Sequence, residues 1–176
     1  MANRVFIATS LDGYIARPDG SLDWLTSFPV PSQGDYGFDR FMEGISAIVM
    51  GRNTYETVLT FGDWPYSKPV VVLSSTLERI PDHLQSKVTL LQGHPREITS
   101  ELNARGFSDL YIDGGKTIQS FLYADAIDEL IISQIPVILG GGIPLFGYLE
   151  KPLWLEHAGT TVYQTGLVKS RYTRKT

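Results

Sequence analysis

Apolar residues along this chain fall into two kinds of segment. Short continuous runs occur at Arg4–Thr9, Ser46–Met50, Pro69–Leu73, Val88–Leu91, Leu110–Ile112 and Glu129–Ile135. Such unalternated runs are expected of strands buried on both faces, as in a parallel sheet. Between them, Phe38, Phe41, Met42 and Ile45, then Ile98 and Leu102, then Ile118, Phe121 and Leu122 recur at helical spacing. The pattern predicts a helix opened by Gly34 and Asp35 and running through Gly44, with Asp35 at its N-cap or first turn. Pro95 suits the first turn of the next helix and Gly106 its stop. The C-terminal stretch, with turns expected near Gly159 and Gly166, reads as antiparallel strands closing a sheet edge. Alternating strands and helices give an α/β fold, a three-layer sandwich with a mostly parallel mixed sheet.

Candidate chemistry gathers where strands give way to helices. Leu110 to Ile112 end a strand, Gly114 and Gly115 turn, and a helix follows. A helix start leaves unpaired N–H groups at the positive end of its dipole, which suits a phosphate. The same device recurs at Gly51, where Arg52 and Thr54 sit in reach of an anion. Ser74-Ser75-Thr76 offers hydroxyls after the third run, and Asp113 and Lys116 flank the later turn. Each turn also has a plainer reading as a tight connection with no ligand, and Asp35 as a helix cap rather than a partner for a heterocycle. The loop Ser10–Ala16, followed by the turn Arg17-Pro-Asp-Gly20, is either a mobile flap or an ordinary surface loop. Phe61–Tyr66 is an aromatic loop placed over one edge. Ligands of open α/β sheets bind at the carboxyl ends of the strands, which is where these residues fall. The common dinucleotide fingerprint, Gly-x-Gly-x-x-Gly with a later acidic residue, is absent.

Composition narrows the function classes. The 176 residues suit one domain, residues 1–176, and carry a formal net charge of −4. No basic run is long enough for a nucleic-acid surface, and Lys169, Arg171, Arg174 and Lys175 read as a solvated edge strand and tail. No apolar run approaches the ~20 residues that span a bilayer. The N-terminus enters a strand directly, so no leader is expected and a cytoplasmic location is. There is no cysteine, and His83, His94 and His157 lie far apart, so neither a thiol nucleophile nor a metal site is expected.

Five segments resemble a known superfamily, in order and over nearly the whole chain. Gly51-Arg52-Asn53-Thr54-Tyr55-Glu56, Leu73-Ser74-Ser75 and Ile112-Asp113-Gly114-Gly115-Lys116 resemble the cofactor segments of dihydrofolate reductases. Ser10–Ala16 and Pro136–Phe146 are similar to a sister group, the C-terminal reductase domain of the bifunctional riboflavin-biosynthesis deaminase/reductase and its stand-alone relatives. The resemblance implies a dihydrofolate-reductase-like fold and NADPH as cofactor. Arg52, Ser74 and Ser75 would meet the 2′-phosphate. Gly51 and Thr54 would hold one pyrophosphate group, and Gly114, Gly115, Lys116 and Thr117 the other. Ala8 and Ile15 would line the nicotinamide end, with Asp12–Ala16 as a flexible flap. Asp35 stands where folate reductases keep the carboxylate that binds the pterin, and Ser133 where they carry the hydroxyl that pairs with it; the two would be the catalytic residues.

The implied activity is hydride transfer to a small heterocycle, most like 5-amino-6-(5-phosphoribosylamino)uracil reduction. Dihydrofolate or pterin reduction is the alternative, and a nucleotide-binding module without turnover a second. Three departures point away from folate: Asp39 where an aromatic would face substrate, Lys68 where an arginine would clamp a carboxylate, and Asp23-Trp24 in place of a Pro-Trp pair. The zinc site of the deaminase half needs cysteines that this chain lacks. The partners implied are a small-molecule substrate and possible pairing as a homodimer, with neither nucleic acid nor membrane.

Overall fold

The computed structural model describes residues 2–31 and 34–175. Eight strands form one sheet in the order β5-β4-β3-β6-β1-β7-β10-β9. These are β1 (Ala2–Thr9), β3 (Ala47–Gly51), β4 (Val70–Leu73), β5 (Val88–Leu91), β6 (Asp109–Asp113), β7 (Glu129–Gln134), β9 (Leu155–Val162) and β10 (Val168–Arg174). All pairings from β5 to β7 are parallel, while β10 runs antiparallel to both β7 and β9. A two-stranded ribbon, β2 (Tyr14–Ala16) with β8 (Ile143–Pro144), stands apart from this sheet. The helices are α1 (Asp23–Thr26), α2 (Phe38–Glu43), α3 (Arg52–Leu59), α4 (Pro95–Ala104) and α5 (Gly115–Tyr123).

The unalternated runs are buried on both faces, as their composition requires. Val5, Val49, Ile112 and Leu130 pack on one face against Ile98 and Leu102 of α4 and Ile118 and Phe121 of α5. Ile48, Met50 and Tyr111 pack on the other against Phe41 of α2 and Tyr55 of α3, with Trp64 and Tyr66 of the aromatic loop joining them. A fully buried side chain such as Phe121 contributes about 1.5–3 kcal/mol to this assembly. No described helix is long and apolar enough to cross a membrane.

Three details differ from the sequence reading. Helix α2 begins at Phe38 rather than Asp35, because Tyr36 (φ 60°) and Gly37 (φ 90°) take left-handed turns first. Gly159 lies inside β9, where the pairing with β10 slips between Arg171 and Tyr172, so it marks a bulge; the turn is made at Gly166 alone. Lys169 and Arg171 are not on an edge strand. β10 lies between β7 and β9, and Arg171 reaches back to Glu129 of β7 in a short ion pair.

Candidate functional site

Parallel pairing brings the carboxyl ends of β4, β3 and β6 side by side. Gly51 is level with Leu73, and Met50 with Asp113. The two strand–glycine–helix turns therefore meet, and each glycine fits around the threonine of the other. A Cβ on Gly51 would lie 2.9 Å from Thr117 Oγ1, and one on Gly114 would overlap Thr54 Oγ1. Gly114 also holds φ 90°, which a side chain disfavours. Neither α3 nor α5 has a side-chain cap, whereas α4 is closed by a capping box of His94 and Glu97. Two helix N-termini with uncapped first turns thus point to the same strip of the sheet edge, a cradle for an anion.

Arg52 crosses from α3 to the end of β4. Its Nη1 donates to Thr76 Oγ1 at 2.9 Å and its Nε to Glu56 at 2.7 Å. Ser74 Oγ is occupied by the turn it closes, accepting from the N–H groups of Thr76 (3.2 Å) and Leu77 (2.9 Å). Ser75 and Lys116 are exposed. The hydroxyl that meets the guanidinium is therefore that of Thr76, which the sequence reading noted only as a donor. Its place one residue beyond the Ser-Ser pair was the available signal.

The flap is stitched to the Gly140–Gly142 loop. Ser10 Oγ donates to Asp12 at 2.6 Å, and the other contacts of that carboxylate are the N–H groups of Leu139 (3.1 Å) and Gly140 (2.8 Å). The Ser10 hydrogen bond leads these in holding the Asp12 carboxyl below the usual range. Leu11 N–H donates to Val137 and Leu145 N–H to Gly13. A Cβ on Gly142 would overlap the Ala16 carbonyl, and one on Gly115 would lie 2.6 Å from Ile15 Cδ1. Close approach at these two glycines lets β2 lie over the start of α5, with Ile15 beside the anion cradle.

Further along the edge, Ala8 of β1 is level with Ser133 of β7. Ser133 is 4% exposed and its hydroxyl has no hydrogen-bond partner among the described residues. A buried, unpaired hydroxyl is costly unless something outside the protein completes it. Asp35 does not pair with it. The Asp35 carboxylate accepts Gly37 N–H (3.0 Å) through Oδ1 and Asp39 N–H (2.5 Å) through Oδ2. Burial works to raise its pKa, but these backbone hydrogen bonds prevail and hold it below the usual range.

Asp113, noted from the sequence only as a charge beside a turn, is a recessed carboxylate. Burial raises its pKa, against the opposing pull of the Gly114 N–H and the Tyr111 hydroxyl. Two tyrosines feel its charge, Tyr66 and Tyr111, the latter donating its hydroxyl to the Phe6 carbonyl at 3.1 Å. Burial and the Asp113 charge push Tyr66 up to about 12 and Tyr111 well above its ordinary value. A carboxyl that resists ionisation is suited to proton donation.

Known proteins share this architecture. The family model for the RibD C-terminal domain matches residues 4–169. The Bacillus subtilis protein YwjB is 39% identical over 160 residues, covering 89% of this chain and 88% of its own. A crystal structure from Shewanella sp. PV-4, provisionally assigned to riboflavin biosynthesis, superposes with a TM-score of 0.95 at 52% identity over the whole of both chains. Dihydrofolate reductase from Enterococcus faecalis, complexed with NADP(H) and RAB-propyl, superposes with a TM-score of 0.68 at 18% identity, covering 99% of this chain and 97% of its own. With its mostly parallel eight-stranded sheet of the dihydrofolate-reductase type, the chain belongs to the RibD C-terminal domain family of reductase domains.

Proposed function

We propose that this chain is an NADPH-dependent reductase of a small heterocycle, most like the pyrimidine reductases of riboflavin biosynthesis. The observation that carries the reading is the pair of uncapped helix starts interlocked through Gly51 with Thr117 and Gly114 with Thr54. N–H groups at both starts, with the Thr54 hydroxyl, would hold the pyrophosphate. Arg52 would meet the 2′-phosphate with its planar guanidinium, and Thr76 stands beside it as a further donor. Ile15, folded over Gly115, would exclude water from the nicotinamide end, and Asp12 would keep the flap in place through the Gly140–Gly142 loop. Bound NADPH supplies the hydride.

On the substrate side, the unpaired Ser133 hydroxyl would complete its hydrogen bonds on the heterocycle. Asp113, whose pKa burial raises, would deliver the proton. Asp35 would act mainly by fixing the start of α2, since both of its oxygens accept backbone N–H groups.

The test is a fluorescence titration with NADPH and NADH, followed by hydride transfer to a panel of aminopyrimidines and pterins. NADPH should bind more tightly by roughly ten- to a hundredfold, the value of a charge-assisted contact. Arg52→Ala should remove that preference while leaving NADH affinity nearly unchanged. Equal affinities in the wild type would take Arg52 out of the role. Tight NADPH binding with no oxidation across the panel would leave a nucleotide-binding module instead.

A further inference from the structure

A cavity of about 470 Å³ lies between α2 and the half of the sheet formed by β1, β7, β10 and β9. That volume is in the range of small-molecule sites. It is set apart from the anion cradle, which is built on β3, β4 and β6. Its strand residues also come from nearer the amino ends: Arg4 and Phe6 on β1, Glu129 and Ile131 on β7. Arg4 precedes Ala8 by four residues, which along a strand is roughly 13 Å.

The lining is strongly cationic in a chain whose net charge is −4. Arg4, Arg40, Lys169 and Arg171 border the cavity, against a single carboxylate among the described residues, Glu129. The acidic groups nearby are already committed. Glu129 is shared between Arg171 and Arg4, the latter at 3.6 Å, and Asp109 holds the other side of Arg4 at 3.0 Å. Lys169 Nζ donates to the Tyr36 carbonyl at 2.6 Å and lies 5.4 Å from the Tyr163 ring centroid, and no carboxylate among the described residues pairs with it. Arg40 makes no salt bridge among the described residues. Like charges converging on a shared cavity repel one another unless an anion lies between them. The floor is different in character. Phe6 and Phe41, with ring centroids 5.1 Å apart, and Ile131 offer an apolar surface under the cationic rim.

We infer that this cavity is a second ligand site, separate from the cofactor cradle, for a small organic anion with a flat apolar body and a phosphate or carboxylate group. The ring would lie on Phe6, Phe41 and Ile131, and the anionic group would meet the Arg40 and Arg171 guanidinium groups, with Lys169 in support. The cavity adjoins the substrate side of the proposed reductase site, since Lys169 is level with Ser133 and Gly37 N–H donates to Asp35, but it shares no residue with the cofactor cradle.

Isothermal titration calorimetry on the whole chain tests it with three probes: phenyl phosphate, benzoate and inorganic phosphate. One phenyl phosphate should bind per chain, about tenfold or more tightly than inorganic phosphate, because the floor takes up the ring. Comparing benzoate with phenyl phosphate identifies which anionic group the rim prefers. Arg40→Glu should weaken binding of the preferred probe by at least about tenfold, with Arg40→Lys recovering part of the loss. Arg40 is exposed and makes no salt bridge among the described residues, so both variants should melt with the wild type. Saturating NADPH, or Arg52→Ala, should leave the titration unchanged. Three results would each overturn the inference: no heat from either organic probe, binding that survives Arg40→Glu, or binding abolished by Arg52→Ala or by NADPH.

Discussion

The interlocked turns make Gly51→Ala the most direct probe of the cradle. Gly51 has φ −83° and ψ 169°, extended backbone that alanine adopts freely. The substitution therefore carries no backbone strain, and by restricting the unfolded chain it favours folding by about 0.4–1 kcal/mol. Against this stands one contact, since the new Cβ meets Thr117 Oγ1 at 2.9 Å and Thr117 is itself buried. Overpacking of this kind costs roughly 1–3 kcal/mol. The net loss is then about 0–2.5 kcal/mol, a Tm shift of at most several degrees for a chain of this size. Cofactor affinity should suffer more. Moving Thr117 displaces the start of α5 relative to that of α3, and losing one charge-assisted hydrogen bond costs about 1.5–3 kcal/mol, or ten- to a hundredfold in Kd.

Urea denaturation and NADPH fluorescence titration on one preparation separate the two effects. Gly51→Ala combined with Thr117→Ala should recover most of the stability without restoring affinity. Gly114→Ala is a blunter tool, because its φ of 90° and its overlap with Thr54 disturb fold and site together. An NADPH Kd within twofold of wild type in Gly51→Ala would refute the cradle as the pyrophosphate seat.

Two further outcomes concern the carboxylates. Asp113→Asn should lower turnover by roughly 10²–10⁴-fold with NADPH affinity intact, and should leave the protein at least as stable at neutral pH. The folded pKa is raised, so wild-type stability from this group is full below the ordinary 3.8 and is lost as pH rises through the folded value, and the hydride-transfer rate should fall over that same upper limb. A pH–rate profile identical in wild type and Asp113→Asn would remove the proton-donor role. Asp35→Asn replaces one of two accepting oxygens with a donor group, so it should lose about 1–2 kcal/mol in chemical denaturation while turnover changes little. Because the Asp35 pKa is lowered, its contribution is present above 3.8 and lost as pH falls through the folded value. A drop of 10²-fold or more in turnover at unchanged stability would instead make Asp35 the substrate-facing acid.

The sheet was legible in the sequence because its parallel strands are buried on both faces, and burial leaves an unalternated apolar run such as Ala47–Met50. The glycine turns were legible too, since a glycine between a strand and a helix is a local signal. What stayed hidden depends on neighbours distant in the chain. Thr117 reads as an ordinary first-turn residue until its hydroxyl is found against Gly51. Asp113 reads as a charge beside a turn until its burial in the fold raises its pKa. The start of α2 is hidden from the sequence because Tyr36 is left-handed, a conformation that a bulky residue seldom adopts and no pattern announces.

Lys169 and Arg171 show the same limit more sharply. Alternating with Ser170 and Tyr172, they look like the solvent side of an edge strand. A C-terminal hairpin, however, places β10 inside and β9 outside, which turns that side toward α2. The position of the last strand thus converts a row of apparent surface charge into the wall of a cavity. The two halves of the sheet then differ in kind: β3, β4 and β6 offer an anion the backbone of helix starts, while β1, β7 and β10 offer one guanidinium and ammonium groups over an aromatic floor. Backbone N–H groups stay in place when side chains are substituted, so the first site is vulnerable mainly at its glycines. The second is held by side chains, so charge reversal at one position, Arg40, should be enough to close it.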